Sequence, residues 1–117
     1  MPETAPDNAN RPFVQRDLRV PGPFDGRWVG LLSIPLRIFD LSMGGCLIQA
    51  YHDQAPGHRF TLEIELPEEG WVEIEAESIY VREGYGFAAR FLEMSEETRE
   101  CLERQIRRIS GSTPSTL

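Results

Sequence analysis

The chain has 117 residues, a length that fits one compact domain with a single hydrophobic core. Apolar residues make up 40% and charged residues 26%, the balance of an ordinary globular protein rather than of a disordered or fibrous one. No apolar run approaches the roughly 20 residues that a membrane-spanning helix requires, so we do not expect an integral membrane protein. The polar N-terminus has no secretory signal pattern, and a cytoplasmic location is expected.

Acidic side chains outnumber basic ones by 19 to 12, which gives a net charge of −7. This excess argues against non-specific binding to a nucleic-acid backbone. Every basic residue is arginine, a bias that a GC-rich genome would explain. The bias still has a chemical consequence, because the planar guanidinium binds phosphate through two hydrogen bonds and stacks on aromatic rings.

The sequence contains no recognisable catalytic constellation. Asp40 stands where a G-x-S-x-G nucleophile turn around Ser42 would need its first glycine, and a phosphate-binding P-loop is excluded because the chain has no lysine. Cys46 and Cys101 do not form a C-x-x-C pair and suit a reducing compartment, so we expect neither a zinc site nor a cofactor. The protein is therefore predicted not to be an enzyme.

The first part of the chain predicts a flexible leader over residues 1–10, followed by a proline-rich arm. Pro21-Gly22-Pro23 disfavours a helix or a central strand, so residues 11–26 are interpreted as an extended arm or loop. This arm carries Arg16 and Arg19.

Strand signals follow the arm. The segment 28–39 is rich in Val, Leu, Ile and Phe, with a bend or an edge position indicated at Gly30 and Pro35. Residues 46–50 form a short apolar run. Apolar and acidic residues then alternate over 60–66 and 72–77 on either side of a turn, which predicts a hairpin with an acidic outer face. A last strand is predicted over 85–92.

After Ser95 the spacing of apolar residues changes from every second residue to that of a helix. Ser95 is expected to cap this helix. Glu96 and Glu97 lie in the predicted first turn, and Arg107 and Arg108 lie near the end, as the helix dipole favours. One narrow face contains Thr98, Cys101, Leu102, Gln105, Ile106 and Ile109. The elements together predict an all-β barrel of five to seven strands over residues 11–110, one C-terminal helix across a barrel opening, and a disordered tail over 111–117.

Two segments could together form a ligand cleft. In Asp40-Leu41-Ser42-Met43-Gly44-Gly45, the Asp and Ser side chains favour a tight turn, and the glycines allow positive φ and close approach of another group. Alone, this pattern is typical of a hairpin connection. Combined with the arginine arm, it would offer guanidinium donors opposite a carboxylate and a hydroxyl, a set that suits a guanine nucleotide.

Asp40-x-Ser42-x-x-Gly45 resembles the D/N-x-S-x-x-G motif of the PilZ domain family, and the segment 84–91 looks like a late strand of that family. The resemblance runs from about Arg11 to Ile109. It implies a small six-stranded antiparallel β-barrel and binding of the bacterial second messenger cyclic di-GMP. The residues it implicates as ligand-binding are Arg16, Arg19, Asp40, Ser42, Gly44 and Gly45.

The family's second motif, R-x-x-x-R, is incomplete in the arm. If Arg19 takes the second position, the first falls on Gln15; Arg16 and Arg19 are three residues apart. Losing one charged hydrogen bond to phosphate would cost about 1.5–3 kcal/mol, or roughly tenfold to over a hundredfold in affinity.

Three functions compete at this point. The first is a non-catalytic cyclic di-GMP receptor in motility or biofilm regulation, which passes the signal to a downstream protein. The second is a module of the same fold that contacts proteins without the nucleotide, in pilus assembly or motility, with Trp28 and Trp71 as candidate contacts. The third, a single-stranded nucleic-acid binder, needs a basic groove, and the acidic strands argue against it.

Overall fold

The computed structural model describes residues 18–49, 56–82 and 86–111. The strands in these ranges are β1 (Val20–Val29), β2 (Ser33–Leu41), β3 (Gly45–Gln49), β4 (Arg59–Leu66), β5 (Gly70–Arg82) and β6 (Gly86–Glu93), and helix α1 spans Glu96–Ser110. The predicted leader, Arg16 and residues 112–117 of the predicted tail lie outside the described residues.

The six strands form a closed barrel in the order β1-β2-β3-β6-β5-β4, with every neighbouring pair antiparallel. Pairing between β1 and β4 closes the circle, so each of the six described strands pairs on both sides along at least part of its length. This confirms the expectation of a six-stranded antiparallel barrel followed by a C-terminal helix.

The alternating pattern of β4 and β5 places their apolar residues inside the barrel. The buried set in these two strands is Phe60, Leu62, Ile64, Leu66, Val72, Ile74 and Ala76. Thr61 and glutamates occupy the intervening positions, and Glu63 lies directly opposite Glu73. The predicted hairpin with an acidic outer face is therefore confirmed.

The proline-rich segment 21–23 was expected to be arm or loop, and this expectation is wrong: it belongs to β1. Pairing with β4 covers only residues 26–29 of β1, so the first half of the strand pairs with β2 alone. On such a one-sided stretch a proline without an N–H group breaks few ladder bonds. The register also shifts between Pro21 and Phe24, which allows the residues between them to lie outside the regular ladder.

The antiparallel order brings four chain segments to one end of the barrel. Strand β1 starts there and β2 ends there; β3 starts there and β6 ends there; and β4 ends where β5 begins. This end therefore carries the residues before β1, the β2–β3 turn, the β4–β5 turn and the start of α1. The predicted site and the helix share it.

Helix α1 begins as the sequence predicts. The hydroxyl of Ser95 accepts a hydrogen bond from the Thr98 backbone N–H at 3.0 Å, and Gly111 ends the helix in the left-handed conformation. Leu102 and Ile106 pack into the barrel core. Ile109, expected on the same face, is instead 38% exposed, because it lies in the last turn beyond this packing.

Among the described residues, no helix combines the length and apolar character that crossing a membrane would need.

Ion pairs hold α1 against the β4–β5 turn. Glu69 accepts hydrogen bonds from Arg104 at 2.9 and 3.1 Å and from Arg108 at 3.1 Å, and its side chain is only 10% exposed. The side-chain oxygen of Gln105 also accepts a bond from the Glu68 backbone N–H at 3.2 Å. The hydrogen bonds from Arg104, with the one from Arg108, lower the pKa of the Glu69 carboxyl from 4.5 to about 2.

We expect this cluster to contribute to acid sensitivity. Because the folded-state pKa of Glu69 is depressed, its carboxylate stabilises the fold above about pH 4.5, and that contribution is lost as the pH falls towards 2. Urea midpoints measured from neutral to acidic pH should therefore fall less steeply in Glu69→Gln than in the wild type. Glu103→Gln, which removes only an exposed helix pair with Arg107, is the control. Identical profiles for wild type and Glu69→Gln would contradict this assignment.

Candidate functional site

The β2–β3 turn is closed by the side chain of Ser42. Its hydroxyl accepts hydrogen bonds from the backbone N–H groups of Gly44 at 3.3 Å and Gly45 at 3.2 Å, and donates to the carbonyl of Gly45 at 3.1 Å. The Ser42 backbone N–H donates to the same carbonyl at 2.9 Å. The serine is 3% exposed. A hydroxyl has one donor and two lone pairs, so this network uses its full capacity, and Ser42 acts by shaping the turn.

The two glycines of the turn differ in what they require. A Cβ at Gly45 would lie 2.3 Å from the carbonyl oxygen of Ala89, so only glycine lets β3 approach β6 this closely. A Cβ at Gly44 would meet nothing within 4 Å. Neither residue has a positive φ, so the turn does not use the conformational freedom that the sequence pattern allowed.

A bulge in β2 directs Asp40 to the outer surface. Leu41 pairs with buried Cys46, so both face the core, while Asp40 pairs with Leu47 on the opposite face. The register shifts between Ile38 and Asp40. Without that shift, strict alternation from buried Ile38 would turn Asp40 inward and Leu41 outward.

Arg19 and Asp40 form an ion pair at the edge of this turn. The Arg19 Nη1 group donates to Asp40 Oδ1 at 2.7 Å, and the two side chains are 55% and 31% exposed. Val20 pairs with Leu41 in the barrel wall, which places the preceding Arg19 beside the turn. The structure thus brings Arg19, Asp40, Ser42, Gly44 and Gly45 together. The sixth predicted residue, Arg16, lies outside the described residues.

Arg90 is a neighbour of the turn that the sequence interpretation did not single out. It lies on β6 directly opposite Gly45, is exposed, and donates through Nη2 to Glu77 of β5 at 2.7 Å. Only the strand order β3-β6-β5 reveals this proximity, because 45 residues separate Arg90 from Gly45 in the sequence.

A pocket of about 370 Å³ between β5 and the start of α1 is a less suitable site for an anion. Its lining includes Glu73, Glu75 and Glu93, whose carboxylates would repel a phosphate. Within the three described ranges, no group of three or more His, Cys, Asp or Glu side chains is arranged to hold a metal ion.

The sequence matches the family described as PilZ domain over residues 9–108. The chain belongs to the PilZ domain family. No curated protein sequence matches it. The match includes both the arm and the turn, so the resemblance carried by Asp40, Ser42 and Gly45 is confirmed at the level of the family.

Solved structures of other proteins share this fold. The inhibitor of motility MotI/DgrA of Bacillus subtilis aligns with a TM-score of 0.70 at 20% identity, over 82% of this chain and 51% of that one. The PilZ domain of Escherichia coli YcgR with c-di-GMP aligns with a TM-score of 0.62 at 18% identity, over 84% and 92%. YcgR in complex with c-di-GMP gives 0.67 at 22% identity, over 84% and 46%. The present chain therefore spans about half of MotI/DgrA and of the longer YcgR structure.

The contrast between the two glycines gives a paired prediction. Gly45→Ala should lower the free energy of unfolding by about 1–3 kcal/mol, because its Cβ would overlap the Ala89 carbonyl and force β3 and β6 apart. Gly44→Ala should stay within about 0.5 kcal/mol of the wild type. Urea denaturation followed by tryptophan fluorescence measures both. Equal losses in the two variants would show that the close approach at Gly45 does not limit stability.

Proposed function

We propose that this PilZ domain is a non-catalytic receptor for cyclic di-GMP. The observation that carries the proposal is the Arg19–Asp40 pair, which the barrel holds beside the turn closed by Ser42. The E. coli YcgR domain of similar fold has been solved with c-di-GMP, which supports the choice of ligand. Arg16 remains a sequence prediction as a second arginine of the arm, and so does a cytoplasmic location.

The pair offers the chemistry that a guanine nucleotide requires. A guanidinium has five N–H donors, and Asp40 occupies one nitrogen of Arg19, so the others are available to phosphate oxygens or to guanine O6 and N7. The Asp40 carboxylate accepts several hydrogen bonds and suits the N–H groups of guanine. The cation therefore suits the phosphate of the ligand, and the neighbouring anion suits its guanine base.

The ion pair does not block binding. Pairs between exposed side chains contribute about 0–1 kcal/mol, whereas hydrogen bonds between charged groups in a ligand contact contribute about 1.5–3 kcal/mol. Arg19 is half exposed, so a phosphate can replace or join Asp40 at little cost. Until then, Asp40 keeps the guanidinium beside the turn and reduces the entropy lost when the ligand binds.

A second candidate function is a protein-contact module that acts without the nucleotide. The turn after β1 favours it, because Leu31 and Leu32 are 104% and 76% exposed. Trp71, which the sequence suggested as a contact, is 43% exposed beneath the Arg27 guanidinium. Trp28 instead stacks on a core phenylalanine with ring centroids 4.1 Å apart and belongs to the barrel packing. In the receptor proposal, such exposed apolar residues serve the downstream partner.

Isothermal titration of the wild-type protein with cyclic di-GMP tests the receptor proposal. Arg19→Ala and Asp40→Ala should each weaken binding by about tenfold or more, because each removes a charged hydrogen bond to the ligand. Arg16→Ala measures the contribution of the other arm arginine in the same assay.

Arg107→Ala is the matched control, since it removes an arginine from an exposed ion pair on α1, with Glu103 at 2.7 Å. It should bind like the wild type. No heat from the wild type at tens of micromolar ligand would overturn the receptor proposal and favour the contact module. Unchanged affinity in Arg19→Ala would overturn the assigned site.

A further inference from the structure

A second arginine–carboxylate pair lies on the outer barrel surface, across β3 from Arg19 and Asp40. It consists of Arg90 on β6 and Glu77 on β5, joined at 2.7 Å, with the arginine 58% exposed. Arg19 directly precedes β1, Asp40 lies on β2, and the Arg90–Glu77 pair follows on β6 and β5, with β3 between the two pairs.

The register places both pairs on the same face. Buried Cys46 of β3 pairs with buried Ala89 of β6, so these positions point into the core. The next pair along the strands, Gly45 with Arg90, must face outward, as does the pair of Arg90 with Glu77. Asp40 faces outward for the same reason, opposite Leu47.

Gly45 adds no side chain to the surface between the two pairs, and its backbone is buried against Ala89 of β6. The neighbouring Gly44 is exposed, with nothing within 4 Å of its Cβ position. Two strand spacings separate β2 from β6, a distance of about 10 Å between the backbones that carry Asp40 and Arg90. That spacing lets a nucleobase or a phosphodiester lying over the Gly45 end of β3 reach both pairs.

We infer that Arg90 is a ligand-contacting residue, which donates to a phosphate of the same cyclic dinucleotide from the far side of β3. The inference rests on the proposed function and deepens it. A cyclic dinucleotide carries two phosphates, and guanidinium groups on both sides of β3 would neutralise both. Glu77 occupies one nitrogen of Arg90 and leaves the remaining donors for the ligand. Arg90 thus adds, from the barrel itself, a guanidinium of the kind that the incomplete arm motif lacks at Gln15.

Titration of barrel variants with cyclic di-GMP tests this role. Arg90→Ala should weaken binding by about tenfold or more, and Arg90→Lys should give a smaller loss, because lysine keeps the charge without the two-pronged geometry. Glu77→Gln breaks the same ion pair but retains Arg90, so it should bind at least as tightly as the wild type. Denaturation midpoints of all variants check that they are folded.

The pattern across variants separates a ligand contact from a structural role. If Arg90 acted only through its ion pair, Glu77→Gln and Arg90→Ala would weaken binding equally, and that result would overturn the inference. Wild-type affinity in Arg90→Ala, with Arg19→Ala impaired, would overturn it too and leave the proposed function intact. Absence of binding by the wild type would overturn both. Arg107→Ala again controls for the loss of one positive charge.

Discussion

The close approach of β3 to β6 at Gly45 is the constraint on which the site depends. With no Cβ between its backbone and the Ala89 carbonyl, the strands draw together, and Phe91 donates its backbone N–H to the Gly44 carbonyl at 2.9 Å. The turn is thus held from β6 on one side and by the buried Ser42 hydroxyl from within. A turn held in this way positions the backbone of Asp40, whose carboxylate pairs with Arg19.

This constraint divides the motif residues by role. Asp40 has a partly exposed charge. Ser42 is buried, and all of its hydroxyl hydrogen bonds are made within the turn. Gly45 allows the close approach of β3 to β6. The D-x-S-x-x-G pattern therefore describes a rigid support with one charged side chain that faces solvent. A support of this kind lowers the ordering cost of binding, since the turn does not have to become ordered when a ligand binds.

The sequence predicts local structure well because alternation over 60–66 and 72–77 and the Ser95 cap are short-range signals. The sequence does not predict local structure where strand pairing determines it. Pro21 lies in a strand because only β2 pairs with β1 at that position. One signal for the bulge was present, since the buried residues Ile38 and Leu41 are three apart, which breaks a period of two. Arg90 could not have been placed, because its proximity to the turn depends on register between distant strands.

The net charge of −7 is compatible with an anionic ligand because screening makes the field local. At physiological ionic strength the Debye length is about 8 Å, so a phosphate over β3 responds chiefly to charges on the neighbouring strands. The guanidinium groups of Arg19 and Arg90 border that surface, each beside the carboxylate that it pairs with. Glu63, Glu65 and Glu73 lie on β4 and β5. The acidic strands discourage long polyanions, which would have to cross them, whereas the proposed cyclic dinucleotide would lie between the two arginines. On this proposal, the charge distribution favours a compact anion over a long one.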